Sequence, residues 1–154
     1  MKAPKKDISV QSVNGSQHID GSEIAIIGMS GRFPGAKNIN EFWENIRDGI
    51  ESITLFSNED LLAAGITPEV LSNPNYVKAR PVLNDIDAFD ASFFGFSPKD
   101  AALMDPQLRL FMECVWSLLE VAGYDPEIYE GTIGVYAGAS MSSYLMNNVC
   151  LNPN

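Results

Sequence analysis

Residues 105–123 read Asp-Pro-Gln-Leu-Arg-Leu-Phe-Met-Glu-Cys-Val-Trp-Ser-Leu-Leu-Glu-Val-Ala-Gly, and the reading of the rest of the chain turns on them. Asp105 is suited to cap a helix, Pro106 to its first position and Gly123 to its C-terminal stop. Leu108, Phe111, Met112, Val115, Leu119 and Ala122 recur at helical spacing. Leu110, Cys114, Leu118 and Val121 form a second apolar row beside them. Only a narrow polar stripe is left: Arg109, Glu113, Ser117 and Glu120. A helix apolar over so much of its circumference is expected between layers of a larger fold, not laid on a surface. Arg109 and Glu113 stand four residues apart, as an intrahelical ion pair requires.

Downstream, Thr132-Ile-Gly-Val-Tyr-Ala-Gly138 reads as a strand whose small residues admit close backbone packing. Upstream, residues 85–96 hold Asp85, Asp87 and Asp90 among Phe89, Phe93, Phe94 and Phe96. The aromatic residues are expected to plug an irregular connection onto the core while the acids face water. An acidic metal loop would need the glycine and terminal glutamate of an EF-hand, which the stretch lacks. Tyr76–Leu83 reads as a strand that Pro81 confines to an edge or bulge. Thr67-Pro68-Glu69 opens a short helical turn, and Ser57 with Asp60 fits a capping box before Leu61-Leu62-Ala63-Ala64, with Gly65 as its close. Asn38 or Asn40 is placed to cap a helix running through Phe42, Trp43 and Ile46 to Gly49. Before it, Ile24-Ala-Ile-Ile-Gly-Met29 is a short apolar run expected to be a buried strand, followed by a Gly/Pro loop over residues 30–35. Strands at both ends with helices between them make the expected class α/β, in layers. Residues 1–22 are polar and aperiodic and are expected to be a flexible leader or linker, leaving 23–154 as the ordered part.

The 154 residues suit one domain, and a 45% hydrophobic content predicts a sizeable core. The formal charge of −10 argues against a nucleic-acid partner. The one basic cluster, Lys2, Lys5 and Lys6, is too small to reverse that. No run is apolar for long enough to serve as a signal-peptide core or membrane span, so no membrane partner is expected and the expected location is cytoplasmic.

The chemistry-bearing residues are few. His18 is the single histidine and falls in the leader; Cys114 and Cys150 are the two cysteines. No CxxC or HxxxH spacing exists, so no metal site is expected. Gly28, Gly31 and Gly35 give GxxGxxxG, not the dinucleotide-binding GxGxxG, and Lys37 does not complete a phosphate loop. Ser30 and Ser140 lack the spacing of a nucleophile elbow. Cys114 sits mid-helix on an apolar row, where burial makes a thiol inert. Cys150 has no base near it in sequence. Read from the residues alone, the chain holds no competent catalytic set.

Its motifs nevertheless resemble the ketosynthase (beta-ketoacyl synthase) domains of modular type I polyketide synthases. The similarity runs through residues 23–35, Phe42-Trp43, residues 85–98, Met104-Asp-Pro-Gln-Leu-Arg-Leu110, Glu113, Trp116, Leu119-Glu120, Ala122-Gly123 and Gly134-Val-Tyr-Ala-Gly138. The resemblance implies the N-terminal portion of a thiolase-like fold with αβαβα layers, here incomplete. It implies a part in decarboxylative Claisen condensation of acyl and malonyl-type thioesters, in polyketide or fatty-acid chain elongation. The expected partners are an acyl carrier protein, which brings the phosphopantetheine arm so that no cofactor is bound directly, and a second ketosynthase subunit. The family's nucleophile lies in a TACSSS-type segment beyond the part resembling residues 134–144, and its two histidines come later. Neither Cys114, Cys150 nor His18 matches them, so no catalytic residue is assigned here. By resemblance, Leu108 and then Gln107 are the expected substrate-binding residues, a role that plain helix-core packing would explain equally well. Arg109 is expected to anchor the helix start through ion pairs. A non-catalytic module docking carrier protein or a ketosynthase partner is the alternative function. Either way, the chain is expected to carry uncovered apolar faces and to self-associate or be marginally stable.

Overall fold

The computed structural model describes residues 24–150. The leader assignment, His18 and the lysines at 2, 5 and 6 lie outside them.

Helix α1 spans Ile39–Asp48, and Asn38 is its cap: the side chain accepts the backbone N–H of Glu41 at 3.0 Å. Gly49 ends it at φ 67°, a left-handed turn that costs an L side chain energy and glycine none. Helix α2, Asn58–Ala63, starts in a full capping box, with Ser57 and Asp60 each accepting the other's backbone N–H at 3.1 Å. Helix α3 is the short turn Pro68–Leu71 after Thr67. Helix α4, Pro98–Leu103, was not anticipated, although Ser97-Pro98 with Asp100 carries the same start signal as α2. Helix α5, Pro106–Ala122, runs as expected from Asp105 to a left-handed Gly123.

The strands depart from expectation. The sheet among the described residues has two antiparallel strands, β1 (Ile53–Leu55) and β2 (Ala79–Pro81), with Thr54 opposite Arg80. The 76–83 strand therefore shortens to three residues near its middle, and Pro81 sits on an edge as its missing N–H demands. Residues 24–29 and 132–138 belong to no strand. A strand exists by virtue of its neighbour, and no described segment pairs with either.

Burial departs as well. Among the described residues Ala36, Ala101 and Arg109 are buried, and no large side chain is fully enclosed. The expected sizeable core is not seen in them, and α5 is not sealed between layers: Trp116 is 43% and Val121 68% exposed. What does pack is aromatic. Phe33 stacks on Phe42 with centroids 3.9 Å apart, and Phe89 stacks on Phe94 at 5.1 Å. Phe93 meets Trp116 of α5 edge-on at 4.7 Å. The 85–96 connection is thus plugged onto α5 by its phenylalanines while Asp85, Asp87 and Asp90 face water, as expected.

Residues 24–33 lie along the C-terminal half of α5. A Cβ placed on Gly28 would meet Ala122 Cβ and Leu118 Cδ1, each at 3.2 Å, so glycine is what lets the backbone come this close. Arg32 Nη1 pairs with Glu113 Oε2 at 3.3 Å and its Nη2 donates to the Asn84 carbonyl at 2.7 Å. Glu113 therefore serves a residue distant in sequence instead of its intrahelical neighbour Arg109.

Candidate functional site at the N-terminal end of helix α5

Helix α4 ends where Met104 turns extended, and the chain re-enters a helix at Asp105 one residue later. The short link gathers a set of polar side chains. Asp105 Oδ1 accepts the Gln107 N–H at 2.7 Å, which caps α5. Its Oδ2 accepts the Ser142 hydroxyl, and Ser142 Oγ in turn accepts the Leu145 N–H at 3.0 Å. Gln107 Oε1 accepts the Ser140 hydroxyl at 2.9 Å, and Tyr144 donates its phenol to the Ala102 carbonyl. Residues 140–145 are thereby laced to the α4–α5 junction, and the chain continues into a π-helical turn, Leu145–Val149. The Ser142 hydroxyl, then the Gln107 N–H, hold the Asp105 carboxyl below the usual carboxylate range, with the Arg109 guanidinium adding to the effect.

Between this junction and residues 137–140 opens a cavity of about 640 Å³. Gln107 and Leu108, the two expected binding residues, both line it, with Leu83, Leu110 and Phe111 supplying apolar wall. Leu108 is 49% exposed. Arg109 departs from expectation. It is buried, belongs to no ion pair among the described residues, and lies with its guanidinium 5.9 Å from the centre of the Tyr144 ring. Its Nε has no hydrogen-bond partner. The helix start is anchored instead by Asp105 and Gln107.

Cys114 reaches the far wall of the same cavity and also lines a second one of about 640 Å³ beside Ser30, Arg32 and Glu113. Burial pushes its thiol up, the reverse of what a nucleophile needs. Cys150 is exposed. Among the described residues no group of His, Cys, Asp and Glu is arranged to hold a metal ion, and no helix is long and apolar enough to cross a membrane.

Ser140, Ser142 and Tyr144 were missed as partners of the helix start. Ser140 and Ser142 stand two apart just after the expected strand, the spacing that turns side chains to one side of an extended backbone.

The chain belongs to the family described as beta-ketoacyl synthase, N-terminal domain, which it matches over residues 21–154. Its relatives are polyketide synthases. It is 51% identical over 126 residues to a phenolphthiocerol/phthiocerol polyketide synthase of Mycobacterium tuberculosis, covering 82% of this chain and 8% of that protein. It is 47% identical over 121 residues to polyketide synthase PksN of Bacillus subtilis, covering 79% of this chain and 2% of that protein. Among solved structures it resembles ketosynthase twelve of the bacillaene polyketide synthase of Bacillus amyloliquefaciens, with a TM-score of 0.57 and 48% identity over 62% of this chain and 17% of that one. These neighbours are thiolase-like ketosynthase domains, of which this chain spans a small N-terminal portion.

Proposed function

We propose that this chain contributes the N-terminal portion of a condensing domain, and that the cavity at the start of α5 receives the acyl chain in decarboxylative Claisen condensation. In that reaction the acyl group rides on a cysteine as a thioester. A malonyl-type thioester loses CO₂, and its carbanion attacks the acyl carbonyl, so that a C–C bond forms and the acyl C–S bond breaks. The residues of this chain act on the acyl chain, not on the reacting atoms. Leu108 offers it apolar surface, and Gln107, tied to Ser140, sets the edge of the wall. The acyl groups arrive on the phosphopantetheine arm of an acyl carrier protein, and a second ketosynthase subunit completes the assembly.

The observation that carries this reading is the convergence of Gln107 and Leu108 on one largely apolar cavity in a chain of the beta-ketoacyl synthase family. The test is a chimera in which residues 24–150 replace the matching segment of the bacillaene ketosynthase. Leu108→Trp should lower self-acylation by a medium-length acyl thioester roughly tenfold and leave acetyl transfer nearly unchanged. An equal loss for both acyl groups would overturn the cavity assignment. The isolated chain should take no label from an acyl thioester, and hydroxylamine-labile acylation of Cys114 or Cys150 would contradict that. A titration with acyl carrier protein, followed by NMR, should shift resonances of the chimera.

A further inference from the structure

Arg109 is the one charged side chain buried among the described residues, at 9% exposure, and acyl-chain binding leaves it without a task. Its Nε has no acceptor, it belongs to no ion pair among those residues, and its guanidinium lies 5.9 Å from the centre of the Tyr144 ring. A buried guanidinium N–H without an acceptor is costly, because nothing replaces the water it gave up. Two carboxylates stand at the spacing from which one turn of helix brings a partner: Asp105 four positions before it and Glu113 four positions after. Both are engaged elsewhere. Glu113 holds Arg32, while Asp105 takes the Gln107 N–H on Oδ1 and the Ser142 hydroxyl on Oδ2.

A single segment occupies both Asp105 and Arg109. Residues 140–145 supply the hydroxyl on the Asp105 carboxylate and the ring beside the Arg109 guanidinium. Lifting that segment frees a carboxylate oxygen and a cation in the same step, one helical turn apart, and their pairing offsets both losses. Asp105 already feels the arginine, whose charge adds to the lowering of its carboxyl. We infer that Arg109 is the alternative partner of Asp105, and that residues 140–145 form a releasable wall: closed with Ser142 on Asp105, open with Arg109 in its place. Ser140 and Ser142 line the cavity beside Gln107 and Leu108, so opening widens it. On the reading that this cavity receives the acyl chain, the exchange of partners admits bulkier chains without stranding a buried charge.

NMR of the full chain labelled with ¹⁵N-arginine tests this, because the sequence holds four arginines, Arg32, Arg47, Arg80 and Arg109, and so gives four Nε–H signals. Arg47 marks the position of a bonded one, since its Nε donates to Asp48 Oδ1 at 2.8 Å. The Arg109 signal, identified by its loss in Arg109→Lys, should lie upfield in the wild type and move downfield toward that of Arg47 in Ser142→Ala. Tyr144→Ala removes the segment's other tie and should move it the same way. Adding Asp105→Asn to Ser142→Ala should take away roughly half of the shift or more, because a neutral acceptor then replaces a charged one. Ser142→Thr keeps the hydroxyl and should leave the signal in its wild-type place. An Arg109 signal unmoved in both Ser142→Ala and Tyr144→Ala would overturn the exchange of partners, and so would an equal shift in Ser142→Thr. The spectrum reads Asp105 and Arg109 in the chain itself, so its failure is distinct from a failure of Leu108→Trp to discriminate acyl groups, which would remove the acyl chain from the cavity and leave the releasable wall in place.

Discussion

The two ends of α5 are held to their neighbours by different physics. At the N-terminal end, Asp105, Gln107 and the Ala102 carbonyl take hydroxyl hydrogen bonds from Ser142, Ser140 and Tyr144, so each of these three residues of the 140–145 segment has one acceptor that suits it. Along the C-terminal half, residues 24–33 are held by the close approach of Gly28 to Leu118 and Ala122 and by one ion pair, Arg32 to Glu113. Directional bonds specify register, whereas packing specifies proximity. The first end therefore shapes a cavity wall, and the second leaves Ile24 and Ile26 at 95% and 84% exposure.

That apolar exposure carries the largest expected effect. The isolated chain should associate with itself as concentration rises, because contiguous uncovered apolar surface seeks cover. Ile26→Lys should shift sedimentation velocity profiles toward monomer more than Ser140→Ala does. A sharp, concentration-independent melt of a monodisperse wild-type monomer would remove the distinction between the ends. Next comes Asp105→Ala, which deletes the cap and leaves the Ser142 hydroxyl without its acceptor. It should cost about 2 kcal/mol in urea unfolding and speed amide exchange over residues 138–145. Equal acceleration over 24–33 would show that the two ends are one cooperative unit. Gly28→Ala should cost about 1 kcal/mol and act the other way, freeing 24–33 and sparing 138–145, because the helix backbone behind Ala122 cannot give way as a flexible side chain would.

What the residues revealed in advance follows the same division. Helices close their hydrogen bonds within a dozen neighbours, so Asn38, Ser57, Asp105, Gly49 and Gly123 announce their boundaries in the sequence alone. Residues 24–29 and 132–138 have the composition of buried strands, but a strand's pairing is decided by its neighbours, and composition does not say where they stand. β1 went unanticipated for a like reason, since three residues hold little pattern and their pairing partner lies some twenty-five positions away. At the cavity, Gln107 and Leu108 were expected through the family motif, not through chemistry, and both line it. Arg109, on the polar stripe of α5, was expected to form ion pairs at the helix start and forms none among the described residues. In the fold that stripe meets Tyr144, which no period of the helix reveals. Glu113 likewise found Arg32, eighty-one positions away, before the arginine one turn back.

Acid offers the finest test of the comparison, because a titrating group sits at the polar end. The Ser142 hydroxyl, and then the Gln107 N–H, hold the Asp105 carboxyl below its ordinary value, against the opposing pull of burial. A carboxyl lower in the folded than in the unfolded chain contributes stability that is fully present above the unfolded value, near 4, and is lost as pH falls through the folded one. Exchange of the 138–145 amides should therefore quicken, relative to 24–33, once pH drops below about 4. Asp105→Asn keeps a capping oxygen and removes the titration, so its 138–145 segment should be looser than wild type at neutral pH but should lose that difference in acid. Asp60 and Asp90 are lowered too, by the Ser57 hydroxyl and the Phe93 N–H respectively, so the stability each contributes is lost as pH falls over the same range. The diagnostic quantity is accordingly the ratio of exchange rates between the two segments. If that ratio stays flat with pH in wild type, the Asp105–Ser142 bond does not hold the cavity wall.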